Sequence, residues 1–349
     1  METMTKGIVE KPKKRKLLFY RAACVILCLL IVSVIFGVVH FLGESKDPGL
    51  LSKENTKTDK NYSWLTDDQN EAVPSVPEPA ISDQANKISV NITAANAIVM
   101  NKDTNEVLYQ KKSTAKIAPA STAKMIMALT ALDYCSPEDE MKVGAEIEMI
   151  QSDSSTAWLM KGDTLTVRQL LIALLLPSGN DAAYTLAVNT GKAIAGDNSL
   201  TNQQAIEVFM DKVNEKAVAL GATNSKFVAP DGYDAEGQYT TAYDLAIIAK
   251  ACLDNPIISE IVASYSSYEK WPNGREVTYS NSNELLDPNS PYYRPEVIGL
   301  KTGTSSLGGA CIVSAAVMDG ETYICVVMGS TKESRFQDSV DILDKIKAQ

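Results

Sequence analysis

Residues 119–132 read PASTAKMIMALTAL, an apolar run that begins with proline and holds Ser121 and Lys124 three positions apart. Proline is common in the first turn of a helix, so the run predicts an apolar helix that starts near Ser121. A three-residue offset places two side chains on one helix face, where the Lys124 amine can reach the Ser121 hydroxyl. Backbone N–H groups at a helix start also favour a developing negative charge. The segment therefore makes Ser121 a candidate nucleophile.

The segments on either side of this helix predict strands and further helices. Five runs of β-favouring residues are predicted as strands: residues 97–100, 107–110, 297–302, 311–317 and 323–328. Four more segments are predicted as helices: residues 165–176, 182–188, 241–253 and 339–348. Strands at both ends of a region with helices between them predict one α+β unit, in which the terminal strands share a sheet.

Two short connections set the pairing in that sheet. Residues 101–106 read as a hairpin connection between the first two strands, and Asp319-Gly320 reads as a two-residue turn between the last two. Such a turn places Ser314 opposite Cys325 and puts Cys311 on the other face of the sheet. We therefore expect free, buried cysteines and no disulfide between these strands.

Charge and histidine content exclude several classes of protein. The chain has 349 residues and a net charge of −10, whereas binding to nucleic acid needs a basic surface. The single histidine, His40, lies inside an apolar run, which excludes a Ser-His-Asp triad, a Cys-His pair and an H-E-x-x-H zinc site. The cysteines lack metal-ligand spacing, and we expect neither a metal nor a cofactor. If the protein is a hydrolase, its base must be Lys, Asp or Glu.

The N-terminal part of the chain predicts a membrane anchor. Residues 22–42 carry no formal charge, and 21 helical residues suffice to cross a hydrocarbon core of about 30 Å. The basic cluster at residues 11–16 stays in the cytoplasm by the positive-inside rule, so we expect a single-pass protein of the cell membrane. A secretory signal peptide is the alternative, but its apolar region would be shorter and would end in a small-residue cleavage site. The expected parts are a cytoplasmic tail at residues 1–16, a transmembrane helix at 17–42, a disordered linker at 43–86 and an extracytoplasmic domain at 87–349.

The Ser-x-x-Lys pattern is a weak signal by itself, because the chain contains it three times. Ser113 with Lys116 follows a strand, and Ser267 with Lys270 lies in a segment rich in serine and tyrosine. Only Ser121 opens a long apolar helix. Its setting, and not the pattern alone, favours a catalytic role.

Two further motifs strengthen this interpretation. Ser178-Gly179-Asn180 lies between two apolar helices, and Lys301-Thr302-Gly303 lies at a strand end. Each has a structural explanation, the first as a turn that ends a helix and the second as a strand that runs into a glycine turn. The set Ser-x-x-Lys, Ser-x-Asn and Lys-Thr-Gly, in this order and in these settings, is typical of penicillin-binding proteins and class A β-lactamases.

Four segments resemble the serine-type D-alanyl-D-alanine carboxypeptidases, a family of low-molecular-mass penicillin-binding proteins: residues 119–125, 170–183, 239–246 and 299–304. The resemblance covers about residues 88–349, and Gly179 is the form that this family uses, unlike the β-lactamases. It implies a fold like that of the β-lactamases and penicillin-binding-protein transpeptidases, with a central antiparallel sheet, helices on both sides and a helical subdomain. The implied partners are peptidoglycan stem peptides that end in D-Ala-D-Ala and, as covalent inhibitors, β-lactam antibiotics. Many relatives have a C-terminal anchor, which we expect the N-terminal helix to replace here.

The chemistry of such a site depends on the protonation of Lys124. Its unperturbed pKa of about 10.4 must be lowered, by burial and by a nearby cation such as Lys301, before the amine can take a proton near neutrality. By the resemblance, Ser121 attacks the carbonyl between two D-alanines and forms an acyl-enzyme, which water then hydrolyses. Ser178 would relay a proton to the leaving amine, and Asn180 would bind the peptide amide.

Substrate binding is expected at the end of the strand that carries Lys301. The resemblance implies that the backbone N–H groups of Ser121 and Thr304 stabilise the oxyanion. The terminal carboxylate of the substrate needs cationic and hydroxyl partners, for which Lys301, Thr302 and Thr304 are candidates. The resemblance also implies an arginine shortly after the last strand, which matches Arg335; the alternative for Arg335 is a solvated surface arginine. The candidate substrate-binding residues are Thr302, Gly303, Thr304 and Arg335.

Two alternative functions are less consistent with the sequence. A β-lactamase needs a carboxylate that activates the deacylating water, and no Glu-x-x-Leu-Asn segment lies between Asn180 and Lys301. A non-catalytic β-lactam sensor would need a cytoplasmic domain, whereas about 16 residues precede the predicted helix. A wall-binding protein that keeps only the fold belongs to the same non-catalytic class.

One loop departs from the family pattern. The family often has Asn-Pro-His-Gly-Leu where residues 229–233 of this chain read Ala-Pro-Asp-Gly-Tyr. The difference affects the expected shape of this loop and removes no motif residue.

Overall fold

The computed structural model describes residues 86–348. The predicted cytoplasmic tail, the predicted transmembrane helix and all but the last residue of the predicted linker lie outside the described residues. Within residues 86–348, no helix combines the length and the apolar character needed to cross a membrane.

The described residues form three sheets and seven α-helices. The strands are β1 (Asn96–Asn101), β2 (Val107–Lys111), β3 (Glu140–Lys142), β4 (Thr164–Thr166), β5 (Ser266–Lys270), β6 (Glu276–Ser280), β7 (Val297–Ser305), β8 (Gly309–Met318) and β9 (Glu321–Ser330). The helices are α1 (Lys124–Tyr134), α2 (Val167–Leu175), α3 (Asn180–Ala195), α4 (Asn202–Leu220), α5 (Ala242–Asp254), α6 (Pro256–Ala263) and α7 (Ser334–Lys347).

The main sheet is antiparallel and has the strand order β2-β1-β9-β8-β7. The first strand of the domain pairs with its last strand, which confirms that the terminal strands share one sheet. The turn between β8 and β9 is tight because Asp319 and Gly320 both have positive φ, at 51° and 84°, as a type I′ turn requires. Ser314 lies opposite Cys325, as predicted, and the cysteines of the described residues are free and buried.

Both faces of the main sheet are covered. Along β1, Ile98 and Met100 pack into a core shared with the helices α1 to α6. The alternate residues Ala97 and Val99 pack into a second core with α7, which contributes Phe336 among others. Successive side chains of a strand point to opposite faces, so β1 joins the two cores. The predicted antiparallel sheet with helices on both sides is therefore confirmed.

Two predicted helices begin differently in the structure. The helix that contains Ser121 opens with a 3₁₀ turn, Ala120–Ala123, before α1 starts at Lys124. The predicted helix at residues 165–176 was wrong at its start, because Thr164–Thr166 pairs with β3 as strand β4. The Thr166 hydroxyl then accepts a hydrogen bond from the N–H of Gln169 and caps α2.

Six elements were not predicted from the sequence: β3, β4, β5, β6, α4 and α6. The longest is α4, whose N-terminus has a capping box between Thr201 and Gln204 and whose C-terminus has Gly221 at φ 91°. The capping box and the C-terminal glycine are both sequence signals for a helix, but α4 was not predicted from them.

Candidate active site

The side chains of Ser121 and Lys124 meet at the start of α1. The Lys124 Nζ donates to the Ser121 Oγ at 2.8 Å. The same Nζ donates to the Asn180 Oδ1 at 2.7 Å and to the Asp231 carbonyl oxygen at 2.9 Å. Lys124 has no exposed surface, so two oxygens from distant parts of the chain aim a buried amine at one hydroxyl.

The two other Ser-x-x-Lys pairs have different partners in the described part of the chain. Ser113, which is buried, donates to the Gln110 side chain at 2.9 Å, and the Lys116 Nζ lies 4.4 Å from the centroid of a tyrosine ring. Ser267 and Lys270 lie on β5, where Ser267 donates to a neighbouring glutamate and Lys270 forms an ion pair across the hairpin. The structure therefore brings serine and lysine together at Ser121 and Lys124 alone of the three pairs.

Ser178 lies in a strained turn beside this pair. Its φ of 66° is in the left-handed region, which is unfavourable for a residue with a side chain. The turn is held by Ser155, whose Oγ donates to the Ser178 carbonyl at 2.7 Å and whose carbonyl accepts from the Asn180 N–H at 2.8 Å. The Ser178 Oγ is buried and has no hydrogen-bond partner among the described residues, although it lines the cleft. This hydroxyl therefore has unused hydrogen-bonding capacity at the edge of the cleft.

Asp181 anchors the loop that supports this turn. Its carboxylate accepts from the N–H groups of Ala157 at 2.8 Å and Leu159 at 2.9 Å. The same loop carries Ser154, whose Oγ accepts from the Asn180 Nδ2 at 2.8 Å. Neither supporting residue was predicted from the sequence; the position of Asp181 directly after Asn180 was the available signal, whereas Ser154 had none.

The Lys-Thr-Gly motif lies at the end of β7, against Ser121. A Cβ at Gly303 would lie 2.8 Å from the Ser121 backbone nitrogen, so only glycine lets the strand approach this closely. Lys301 is fully buried and its Nζ donates to the Thr302 carbonyl at 2.9 Å. The Thr302 hydroxyl lies 2.6 Å from that of Ser282. The motif forms one wall of the space above Ser121.

Arg335 extends this wall. Its Nη1 donates to the Gly303 carbonyl at 2.9 Å and to the Thr304 hydroxyl at 3.1 Å, and its guanidinium lies 4.6 Å from the ring of Phe336. Its Nε is buried and has no hydrogen-bond partner among the described residues. Arg335 is therefore a positioned cation at the end of β7 and not a solvated surface arginine.

Burial decides the protonation of the two lysines. It lowers the pKa of Lys124 to about 8, and the carboxylates of Asp231 and Asp181 oppose this shift. The pKa of Lys301 is lowered well below its ordinary value, first by burial and then by the charges of Lys124 and Arg335. The charge of Lys124 is thus one cause of the lowered pKa of Lys301, whereas Lys301 is not among the groups that shift the pKa of Lys124. A pKa of about 8 leaves roughly a tenth of Lys124 in the neutral, basic form at pH 7.

A cleft of about 590 Å³ lies at Ser121, and the two buried lysines are behind its lining residues. Ser121 forms its floor, and the lining includes Asp153, Ser154, Ser178, Asn180, Thr302, Thr304 and Arg335. The cleft combines a hydroxyl beside a buried amine, an unpartnered hydroxyl and a guanidinium, a set that suits nucleophilic attack on a substrate with an anionic end. Residues 86–348 contain no group of three or more His, Cys, Asp or Glu side chains placed to hold a metal ion.

Comparison with known protein families gives a consistent result. The family model described as D-alanyl-D-alanine carboxypeptidase (peptidase S11) matches residues 81–332. The chain is 31% identical to D-alanyl-D-alanine carboxypeptidase DacF of Bacillus subtilis, over 72% of this chain and 61% of that protein. It is 34% identical to D-alanyl-D-alanine carboxypeptidase DacB2 of Mycobacterium tuberculosis, over 68% of this chain and 75% of that protein.

A solved structure has the same fold. The crystal structure of the Streptomyces K15 DD-transpeptidase superposes with a TM-score of 0.68 at 30% identity, and the match covers 74% of this chain and 99% of that one. The described domain therefore has a penicillin-binding-protein-like fold with a central antiparallel sheet, as the resemblance implied.

Proposed function

Because this chain belongs to the D-alanyl-D-alanine carboxypeptidase family, we propose that it removes the terminal D-alanine from peptidoglycan stem pentapeptides. One observation supports the proposal most directly: the buried Lys124 amine donates to the Ser121 hydroxyl, 2.8 Å away, at the floor of the cleft. Neutral Lys124 takes the proton of Ser121 as the oxygen attacks the carbonyl between the two D-alanines. Ser121 is then the nucleophile of an acyl-enzyme mechanism.

The remaining residues of the cleft complete the proposed reaction. The bond between carbonyl carbon and nitrogen breaks, and the leaving amine receives a proton from Lys124 through Ser178, whose hydroxyl has no hydrogen-bond partner within residues 86–348. Asn180 binds the peptide amide, and the N–H groups of Ser121 and Thr304 stabilise the oxyanion. Water then cleaves the Ser121 ester, which releases the shortened peptide and restores the serine hydroxyl.

Charge at the end of β7 supports recognition of a carboxylate. Arg335 donates to Gly303 and Thr304, so its guanidinium is fixed beside the strand on which the substrate would lie. Because Lys301 loses its proton readily, Arg335 supplies the main positive charge for the terminal carboxylate, and Thr302 and Thr304 supply hydroxyl groups.

We propose that β-lactams acylate the same serine and that the domain acts outside the cell. Their strained amide presents a carbonyl and a carboxylate, the two groups that the cleft is built to receive. The uncharged run at residues 22–42 and the basic cluster before it support a single-pass anchor with a cytoplasmic N-terminus.

The replacement Ser121→Ala tests the nucleophile. We expect it to abolish both covalent labelling by a fluorescent penicillin and the release of D-alanine from a stem pentapeptide, because Ser121 carries the hydroxyl that is hydrogen-bonded to the Lys124 amine. The matched control is Ser113→Ala, which alters an identical Ser-Thr-Ala-Lys tetrapeptide and should leave labelling unchanged. Persistent labelling of Ser121→Ala would refute the assignment.

A second candidate function is the transfer of the acyl group to the amine of another stem peptide. The Streptomyces K15 structure, similar over 99% of its length, is called a DD-transpeptidase. Mass spectrometry of a pentapeptide incubated with the protein separates the two reactions, since hydrolysis yields a peptide shorter by one alanine and transfer yields a cross-linked product. Rapid turnover of penicillin would instead favour a β-lactamase.

A further inference from the structure

The loop at residues 228–238, called here the Asp231 loop, is fixed against the turn that carries Ser121. The buried Gln238 organises it, because its Oε1 accepts from the N–H groups of Val228 and Ala229 and its Nε2 donates to the Tyr233 carbonyl. Gly232 has a φ of 77°, and a Cβ there would lie 2.0 Å from the Ala120 carbonyl oxygen. The loop backbone therefore has little freedom relative to Ser121.

Asp231 is the residue of this loop that contacts the proposed base. Its carbonyl accepts from the Lys124 Nζ at 2.9 Å and lies 3.5 Å from the Ser121 Oγ. Its side chain is 1% exposed and turns back so that Oδ1 accepts from the Tyr233 N–H at 3.0 Å. Asp231 therefore binds the Lys124 amine through its carbonyl and also carries a buried carboxylate, whose negative charge is poorly screened by solvent.

The other charged and titratable groups around Lys124 come from two elements. The charge of Lys124 helps to lower the pKa of Lys301 on β7, but Lys301 is not among the groups that shift the pKa of Lys124. Asp181 on α3 attracts Lys124, but the carboxylate of Asp181 already accepts three backbone N–H groups, those of Ala157, Leu159 and Ala182. Tyr184 on α3 interacts with Asp231 and not with Lys124, and it is uncharged at neutral pH, since burial raises its pKa to about 12. Asp231 acts against burial, as the first of the two carboxylates that raise the pKa of Lys124.

We propose that Asp231 is a positioning residue for Lys124: its carbonyl aims the amine at Ser121, and its carboxylate holds a proton on that amine. Position 231 then sets the pH range in which Ser121 becomes acylated. This inference rests on the proposed function. It also gives a physical meaning to the departure from the family pattern, because aspartate and histidine at this position differ in charge.

The replacement Asp231→Asn separates this role from a purely structural one. Asparagine keeps an oxygen that can accept from the Tyr233 N–H, and the backbone carbonyl is unchanged, so the loop keeps its turn while the charge is lost. Without the carboxylate Lys124 loses its proton more easily. In full-length protein, we expect the acidic limb of the rate of penicillin acylation against pH to move down by about one pH unit. Acylation below pH 7 would then be faster than in the wild type.

The matched control is Asp234→Asn, three residues along the same loop. The Asp234 carboxylate accepts from the Leu307 N–H at 2.9 Å and is not among the groups that shift Lys124, so the acidic limb should keep its position. If Asp231→Asn does not fold, Asp231→His is measured instead, and it should move the limb in the same direction. Circular dichroism and thermal melting of each variant establish that it is folded.

Two outcomes would overturn the inference while leaving the proposed function intact. One is an Asp231→Asn profile that superimposes on that of the wild type. The other is an equal loss of acylation at every pH, which would mean that Asp231 only shapes the loop. A wild-type protein that penicillin does not acylate at any pH would refute the proposed function, and this inference with it.

Discussion

At the scale of single residues, the protonation of Lys124 should control the reaction. Neutral Lys124 is the proposed base and its pKa is about 8, so the rate of penicillin acylation should rise with pH through this value and then level off. Lys124→Arg should abolish acylation throughout the range from pH 6 to 10, because a guanidinium stays protonated there and cannot act as a base. Rates of fluorescent-penicillin labelling between pH 6 and 10 provide the measurement. A rate that falls as the pH rises through 8 would contradict the role of base.

The residues of the site differ in how far the sequence reveals them. Ser121, Lys124, Ser178 and Lys301 were identifiable because each belongs to a short motif with fixed spacing. The contact from Asp231 was not, since it comes from a backbone carbonyl, a group that every residue has. The burial that lowers the pKa of Lys124 was also invisible in the motif, because it depends on segments more than 50 residues away, such as the one that holds Asn180.

At the scale of elements, the loop at residues 153–160 depends on its anchor at the start of α3. Asp181→Ala removes the acceptor for the N–H groups of Ala157 and Leu159 and leaves them buried. We expect a loss of about 2–3 kcal/mol in the free energy of unfolding, faster amide exchange in this loop and slower acylation. Urea denaturation and hydrogen exchange measure these effects.

The control for this prediction is Asp197→Ala, in the turn after α3. Asp197 is exposed and accepts from the nearby Ser199, so its replacement should leave the free energy of unfolding almost unchanged. Equal effects of the two replacements would show that the anchor at Asp181 is unimportant.

Elements were predictable where a strong local pattern coincided with burial. The strands β7, β8 and β9 are buried apolar runs, and β8 and β9 are joined by a turn with a glycine. The short hairpin of β5 and β6 is mostly exposed and polar, so neither strand had a hydrophobic pattern to reveal it. Helix α4 has low overall hydrophobicity, so its hydrophobic pattern did not indicate a helix. Its capping box at Thr201 was the remaining signal in the sequence.

At the scale of the whole molecule, Asp338 ties the beginning of the domain to its end. Its carboxylate, on α7, accepts from the N–H groups of Thr93 and Ala94 just before β1 and from the hydroxyl of Ser330 at the end of β9. Asp338→Ala should lower the free energy of unfolding by about 3 kcal/mol, measured by urea denaturation. Asp341→Ala, which affects a partly exposed residue of the same helix, should cost no more than about 0.5 kcal/mol. A similar cost for both would mean that the tie contributes nothing.

The pairing of β1 with β9 also orders events during synthesis of the chain. When a ribosome has synthesised the chain as far as α6, Ser121 and Lys124 are already present. The strands β7 to β9 have not yet been made, so β1 lacks its sheet neighbour β9. The central sheet cannot close before the codons for Glu321–Ser330 have been translated, and contacts between such distant parts of a chain form slowly. Because Gly303 on β7 packs against the backbone of Ser121, we expect chains that stop before β7 to be inert towards β-lactams.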